Sequence, residues 1–201
     1  MSLSHVEPRT LAERIWPERK ANRVSRFAVL ALLGALALTL AAKWKVPLYP
    51  VSMTMQTAIV FLIGAAYGFR LAVASLLVYL FEGAIGLPVF TDTPDRGIGL
   101  IYMLGPTGGY LVGSVLAAGL VGLLAGKGLL QSPWLALPIF LAADVVIFAC
   151  GVGWLSTMFG GGSALRLGLH PFLYGEALKI ALAAALVTAA WRLVPPPPAR
   201  R

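Results

Sequence analysis

Long apolar stretches, separated by short polar breaks, occupy this chain from residue 27 onwards. An α-helix needs about 20 predominantly apolar residues to cross a bilayer. Six stretches are close to that length or exceed it: 27–43, 54–69, 71–91, 99–126, 134–158 and 171–194. The pattern therefore predicts an all-α integral membrane protein with six transmembrane helices.

Glycine and proline residues predict where these helices end. Gly68-Phe69-Arg70 indicates a tight turn between the second and third spans, and Gly86 with Pro88 indicates a broken end to the third. The many glycines of the fourth span predict a bent or partly unwound helix. The proline run 195–198 ends the sixth span, and Pro17 argues against one continuous helix in the N-terminal arm.

Composition strengthens the membrane interpretation. Hydrophobic residues make up 59% of the chain and charged residues 12%, whereas soluble domains average about 45–50% and about 25%. With a single cysteine, Cys150, the chain cannot form an internal disulfide framework. It also lacks the Gly-x-x-x-x-Gly-Lys-Ser/Thr loop that cradles nucleotide phosphates, so we expect no cofactor in this chain and no ATP hydrolysis by that route.

Positive charges determine the predicted topology. The net charge is +8, but the basic residues flank the spans, which favours contacts with the lipid bilayer over nucleic acid. Of the 16 Lys and Arg residues, eleven lie on the side of the two termini, four on the opposite side and Lys179 within a span. The positive-inside rule then places both termini in the cytoplasm. The predicted organisation is a basic arm at 1–26, a membrane domain at 27–194 and a Pro-rich tail at 195–201.

Four ionisable residues interrupt the apolar stretches: Glu82, Asp144, Glu176 and Lys179. A charge at the centre of a bilayer costs about 2.5–3.5 kcal/mol, and such groups usually face a protein interior or a polar cavity. Glu176 and Lys179 are three residues apart and share one helix face. There a carboxylate accepts ligand N–H groups and an ammonium donates to ligand oxygens. The alternative is a neutralising ion pair with no ligand, and Asp144 is either a pocket group or a neutral partner of a neighbouring helix.

Other candidate binding groups lie near the predicted outer ends of the spans. Gln56 is either a pocket group or an interhelical hydrogen-bonding residue. Phe90 is suited to stacking on an apolar ring, and Arg96 either binds a carboxylate or remains a solvated loop charge. The segment Gly105–Tyr110 adds three candidates: Thr107, Gly108 and Tyr110. In the first span, two small-x-x-x-small patterns allow close helix packing, formed by Ala31, Ala35, Ala37 and Ala41.

Four motifs occur in the same order as in one known family. They are Pro50-Val-Ser-Met-Thr-Met-Gln-Thr57, Gly83-Ala-Ile-Gly-Leu-Pro-Val-Phe90, Gly105-Pro-Thr-Gly-Gly-Tyr-Leu-Val-Gly113 and Pro171-Phe-Leu-Tyr-Gly-Glu-Ala-Leu-Lys179. Over about residues 27–194 the chain resembles BioY, the biotin-specific substrate-binding membrane protein (S component) of energy-coupling-factor (ECF) transporters. The resemblance implies an S-component-like six-helix fold in the bacterial cytoplasmic membrane, with a deep pocket open to the outside.

The resemblance also implies roles for individual residues. Glu176 and Lys179 occupy the acidic and basic positions of the last motif, Arg96 resembles the family's basic residue after the Gly-Leu-Pro-Val-Phe run, and the Gly105–Tyr110 segment would line the pocket. The chain differs from the family pattern at several positions. It has Glu176 for the usual Asp, Ser52 for a second Pro, an acidic insert at 91–95, and Glu82 at a normally apolar position.

The implied partners are biotin, a membrane coupling subunit and two ATP-hydrolysing subunits, although some family members are thought to work alone. The alanine pattern of the first span would dock on the coupling subunit. We therefore expect a biotin-uptake protein with no chemistry of its own. The alternatives are a transporter of another small vitamin, an intramembrane enzyme using Asp144 and Glu176 as acid and base, or a structural subunit.

Overall fold

The computed structural model describes residues 10–17 and 22–194. The predicted arm lies partly outside these residues, and the predicted tail lies wholly outside them. The helices are α1 Leu11–Ile15, α2 Arg23–Lys43, α3 Gln56–Tyr67, α4 Phe69–Ala84, α5 Gly99–Met103, α6 Gly108–Gly126, α7 Pro133–Phe159, α8 Gly161–Gly168 and α9 Leu173–Leu193. Two short strands, β1 Lys45–Val46 and β2 Met53–Thr54, pair antiparallel. Single 3₁₀ turns occur at Leu129–Gln131 and His170–Phe172.

Four helical stretches are long and apolar enough to cross a membrane. They are Arg23–Lys43, Gly108–Gly126, Pro133–Phe159 and Gly161–Leu193, the last of which joins α8 and α9. Many large apolar side chains on these helices are exposed, among them Leu36, Leu116 and Leu141. Exposed apolar surface of this extent is typical of a lipid-facing protein. The chain is therefore a largely helical, multi-pass membrane protein.

The observed helix bounds differ most from the predicted ones where glycine and proline interrupt the chain. α4 ends at Ala84 rather than at residue 91, because Gly86 adopts a φ of 95° and Pro88 follows it. The predicted fourth span is broken into α5 and α6 by a turn around Pro106, which confirms the predicted interruption. Gly68, with a φ of 74°, forms the predicted tight turn between α3 and α4.

Three features were not predicted. α2 begins at Arg23, inside the segment assigned to the arm. α8 occupies what was expected to be an irregular outer loop, and the β1–β2 ribbon includes Thr54, which was assigned to the second span. The short ribbon and the glycine-rich start of α8 both lack the long apolar pattern on which the prediction depended.

α6 lies at the centre of the bundle and contacts α7, α3 and α4. Its glycines allow this close packing. A Cβ on Gly113 would lie 2.8 Å from the Ile147 Cα of α7, and a Cβ on Gly122 would lie 2.6 Å from the Phe69 backbone nitrogen of α4. α2 lies against α4 and α3, and α9 lies against α7 and α3.

Consecutive long helices run in opposite directions, so their ends collect at two ends of the bundle. At one end α3, α6 and α9 begin while α2, α4 and α7 finish; we call this the cavity end. At the other end the buried Arg26 guanidinium donates to the backbone oxygens of Ala12 (3.0 Å) and Trp16 (2.7 Å). Arg14 lies over the Trp191 ring at 5.3 Å. The described residues nearest the two termini therefore lie at the same end.

Candidate binding site

A cavity opens between the helices at the cavity end. Its empty volume is about 770 Å³ when the open solvent at its mouth is included. Every long helix of the bundle contributes to its wall. The lining residues that carry the argument below are Gln56, Tyr79, Tyr102, Thr107, Tyr110, Phe148, Phe172 and Glu176.

A buried charged pair lies at one wall of this cavity, with Glu176 on the cavity side. Lys179 donates to Glu176 Oε1 at 2.6 Å, and both residues are nearly inaccessible, with exposed fractions of 6% and 4%. Thr57 of α3 donates a second, longer hydrogen bond to the same oxygen, at 3.3 Å. The first turn of α9 thus holds the pair against α3, because residues three apart on a helix face the same way.

Asp144 of α7 lies beside this pair and interacts electrostatically with both of its members. It is buried, with an exposed fraction of 8%. Within the described residues, Asp144 Oδ1 and Glu176 Oε2 have no donor partner; the two carboxyl groups lie within hydrogen-bonding reach of each other and can pair only by sharing a proton. A buried polar atom without a partner is costly. The cluster can therefore gain free energy from a ligand that brings N–H or O–H donors.

Aromatic rings form a second wall. Phe90 stacks on Tyr102 at 4.9 Å and meets Tyr79 edge-on at 5.2 Å. The Tyr79 hydroxyl accepts a hydrogen bond of 2.8 Å from the Gln56 side-chain amide. Thr91 donates to Gln56 Oε1 at 3.3 Å. Because the amide is held at both its nitrogen and its oxygen, Gln56 has a fixed orientation at the cavity wall.

A third wall is also aromatic. Tyr110 of α6 and Phe172 each meet Phe148 of α7 edge-on, at 5.8 Å in both cases. The Tyr110 hydroxyl donates to the Gly168 backbone oxygen at 2.7 Å, which ties the start of α6 to the end of α8. Together with Val51, these rings make this side of the cavity apolar.

The mouth of the cavity lies under Arg96. An adjoining outer cleft, about 740 Å³ including open solvent, is lined by Arg96, Asp92 and Tyr49 and shares Tyr102 and Thr107 with the cavity. Arg96 donates to the Pro50 backbone oxygen and forms a 3.6 Å ion pair with Asp92. Its guanidinium remains partly exposed and can meet an anion at the mouth.

Asp92 joins the two outer loops that flank this mouth. It accepts a 2.6 Å hydrogen bond from Ser52 and an ion-pairing hydrogen bond from Lys45, both on the segment between α2 and α3. Burial raises the pKa of the Asp92 carboxyl, but the bonds from Lys45 and Ser52 and the charges of Lys45 and Arg96 outweigh it, so the pKa is lowered overall. We call this set of contacts the Asp92 latch. Its central residue, Asp92, belongs to the 91–95 insert.

The structure brings only part of the predicted site to the cavity. Glu176, Gln56, Thr107 and Tyr110 line the cavity, and Arg96 lies at its mouth. Lys179 and Asp144 lie next to Glu176 but do not line it.

Two predicted residues lie behind the wall. Phe90 is 1% exposed between Tyr79 and Tyr102, so its ring supports two lining residues instead of meeting a ligand. Gly108 is buried against the Met103 backbone oxygen and Trp154, where it serves helix packing. Both are corrected from contact residues to supporting ones.

The predicted docking alanines also need correction. Ala31, Ala35 and Ala41 are buried on the face of α2 that packs on the rest of the bundle, and only Ala37 is partly exposed. The small residues of α2 allow α4 to pack closely, since a Cβ on Gly34 would lie 2.6 Å from the Ser75 Cβ. These alanines therefore contact the chain's own helices and are not available to an outside protein in this structure.

Sequence reasoning missed several lining residues. They are Tyr79, Thr91, Tyr102, Phe148 and Phe172. Tyr79 and Tyr102 are polar aromatic residues in otherwise apolar helices, which is a usable signal, since a buried Tyr hydroxyl usually needs a partner. Phe148 and Phe172 carry no such signal, because they resemble any lipid-facing or core phenylalanine.

The chain is similar to members of one known family. A model of the BioY family matches residues 14–196. A probable biotin transporter BioY of Pyrococcus horikoshii is 34% identical over 82% of this chain and 93% of its own. The biotin transporter BioY of Thermotoga maritima is 34% identical over 84% and 93%. A crystal structure of the S-component for biotin from an ECF-type ABC transporter superposes with a TM-score of 0.76 at 22% identity, covering 87% of this chain and 95% of that one. The fold is therefore that of an S component, and the chain belongs to the BioY family.

Proposed function

We propose that this chain is a high-affinity biotin-binding subunit that mediates biotin uptake across the bacterial cytoplasmic membrane. The observation that carries the proposal is the buried carboxylate of Glu176, which lines an apolar, aromatic cavity and has one oxygen without a donor among the described residues. Relatives at 34% identity are named as biotin transporters. The chain has no proposed catalytic role.

Biotin has the groups that such a cavity needs. Its ureido ring presents two N–H donors and a carbonyl, and a carboxylate accepts N–H donors strongly. In the proposed complex Glu176 accepts from the ureido ring, and Thr107 and Gln56 face the remaining polar atoms. The apolar thiolane ring lies against Tyr79, Tyr102 and Phe148.

Arg96 is proposed to bind the valerate carboxylate at the cavity mouth. It is the basic side chain among those lining the outer cleft. An Arg–carboxylate contact is frequently bidentate and adds orientation as well as affinity. Since Arg96 also pairs with Asp92, the ligand carboxylate would compete with Asp92 for the same guanidinium.

Lys179 and Asp144 are proposed to act through Glu176. Lys179 donates to the carboxylate and fixes one of its oxygens. Asp144 lies beside the Glu176 carboxyl and interacts with it electrostatically. Both residues therefore position the acceptor and do not need to touch biotin.

We further propose six membrane crossings with both termini in the cytoplasm. α3 and α4 are short, about 18 and 24 Å by their rise per residue, but each runs from one end of the bundle to the other, which supports counting them as crossings. The excess of Lys and Arg at the end opposite the cavity supports the orientation. The cavity then opens outwards, with 1–26 as an inner arm, 27–194 as the membrane domain and 195–201 as an inner tail.

The proposed partners are the ECF coupling subunit and its two ATP-hydrolysing subunits, which would use ATP on behalf of this chain, or none if it works alone. α2 remains the proposed docking helix. Its contact residues would be the exposed Leu32, Leu36 and Leu40 with the partly exposed Ala37, in place of the three buried alanines.

Calorimetric titration of the purified chain tests this function. We expect biotin to bind with one-to-one stoichiometry and Glu176→Gln to weaken it by about 10- to 150-fold, since a hydrogen bond to a charged group contributes about 1.5–3 kcal/mol. Glu82→Gln is the matched control, because Glu82 is only partly buried and does not line the cavity. Desthiobiotin, which keeps the ureido ring, should bind in the same way. Binding of another vitamin in preference to biotin would refute the assignment.

A further inference from the structure

A second large groove lies at the end of the bundle opposite the cavity. It runs between α2 and α6 across the α3–α4 turn, and its empty volume is about 1620 Å³ including its open side. Its lining residues come from five segments of the chain: α1, α2, the α3–α4 turn, the start of α4 and the end of α6. We call it the basal groove. The proposed biotin site does not use it.

The charge of the basal groove is strongly one-sided. Its lining includes Arg23, Arg26, Arg70 and Lys127 but a single acidic residue, Glu13. The Arg26 guanidinium is engaged by backbone oxygens of the α1 segment. The side chains of Arg70 and Lys127 are exposed, and neither forms a hydrogen bond or ion pair with any other described residue. Two cations therefore border the groove with no counter-charge from the part of the chain that the structure describes.

The sides of the basal groove are apolar and exposed. Val24 and Phe27 of α2 form one side, Phe69 of α4 lies at the floor, and Leu123 of α6 forms the other side. Their exposed fractions run from 40% to 82%. The groove therefore combines a cationic rim with an exposed apolar channel. This arrangement is complementary to a phospholipid with an anionic headgroup and apolar acyl chains.

We propose that the basal groove binds an anionic phospholipid of the surrounding bilayer. Arg70 and Lys127 contact the headgroup phosphate, and one acyl chain lies along Val24, Phe27 and Leu123. The occupant is a lipid because the charges lie at the ends of α2, α4 and α6, the helices that border the groove, where headgroups are concentrated. Basic pockets between transmembrane helices at this level commonly bind anionic headgroups.

Native mass spectrometry of the purified chain tests the proposal, with phosphatidylglycerol and phosphatidylcholine added at equal concentrations. We expect the native chain to retain phosphatidylglycerol preferentially. Each basic residue near an anionic headgroup contributes about a fivefold gain in affinity. The double variant Arg70→Gln/Lys127→Gln should therefore lose about 25-fold in affinity for phosphatidylglycerol, and Arg70→Lys/Lys127→Arg should restore most of it.

The matched control is Arg166→Gln/Arg192→Gln, which removes the same number of charges from positions outside the basal groove. It should bind phosphatidylglycerol as the native chain does. Equal retention of the two lipids by the native chain, or equal losses in both double variants, overturns the proposal. Displacement of the lipid by millimolar inorganic phosphate, or by an acidic peptide, also overturns it, because the groove would then recognise a free anion or a protein segment. Biotin titration of each variant checks that the fold is intact, since the cavity lies at the other end.

Discussion

Replacing Lys179 with methionine isolates the role of the buried charged pair. Methionine keeps an unbranched side chain that is shorter by one heavy atom, and it removes the ammonium. Lys179 donates to Glu176 at 2.6 Å, both side chains are nearly fully buried, and Asp144 lies beside them. The substitution therefore leaves two carboxylates next to each other in a site with little access to water, with no cation to balance them.

The expected cost follows from that geometry. Removing one partner of a buried ion pair costs about 3–5 kcal/mol, because the other charge stays buried and unpaired. For a chain of this size, about 3 kcal/mol lowers the melting temperature by about 6 °C or more. If Glu176 is the biotin acceptor, protonation or displacement of its carboxylate also weakens binding, by about a hundredfold for a loss near 3 kcal/mol.

The assay combines thermal unfolding in detergent with calorimetric titration of biotin. Arg166→Met is the matched control, since it also removes one cation, at an exposed position with no side-chain partner among the described residues, and it should change neither quantity. The double variant Glu176→Gln/Lys179→Met should recover most of the stability, because the glutamine amide can donate to Asp144, but it should not recover biotin affinity. A Lys179→Met variant that melts and binds like the native chain would refute the reasoning.

Three further outcomes are expected. Asp92→Asn removes the ion pair with Lys45. Because a partly exposed pair contributes about 1 kcal/mol, hydrogen exchange of segment 44–55 should rise about fivefold. Unchanged exchange would contradict the role of the Asp92 latch. In the native chain, the protection of this segment should stay constant from pH 8 down to about pH 4 and fall only at lower pH. Because the folded-state pKa of Asp92 is lowered, its stabilising contribution is complete above the unfolded pKa near 3.9 and is lost as the pH falls through the folded-state pKa. Gly83→Ala would force a Cβ into the Phe90 ring and should destabilise the fold by about 1–3 kcal/mol in thermal unfolding, while Gly153→Ala, which faces open space, should not.

Local sequence patterns predicted the long helices well, because the start and end of a helix depend mainly on residues that are neighbours in the sequence. α7 and α9 begin and end close to the predicted bounds, and the closeness of Glu176 and Lys179 followed from their spacing in one helix. The α3–α4 turn was likewise predicted from Gly68, whose φ of 74° few other residues adopt.

What the sequence could not predict depends on contacts between distant segments. Asp144 reaches Glu176 from another helix, and no spacing relates the two positions. Phe90 was expected at the ligand but is enclosed by Tyr79 and Tyr102, because the choice between facing a cavity and facing a core is made by tertiary packing. The alanines of α2 illustrate the same ambiguity. Small residues permit close approach of any helix, and here that helix is the chain's own α4.

The pair of Glu176 and Lys179 separates two spaces. Glu176 lines the cavity, whereas Lys179 lines a different, outward-facing groove beside Met53 of β2 and Leu182 of α9. A ligand that displaces the Glu176 carboxylate would therefore leave the Lys179 ammonium beside that groove without its partner. One ion pair thus lies between the cavity and a groove on the outer surface of the bundle.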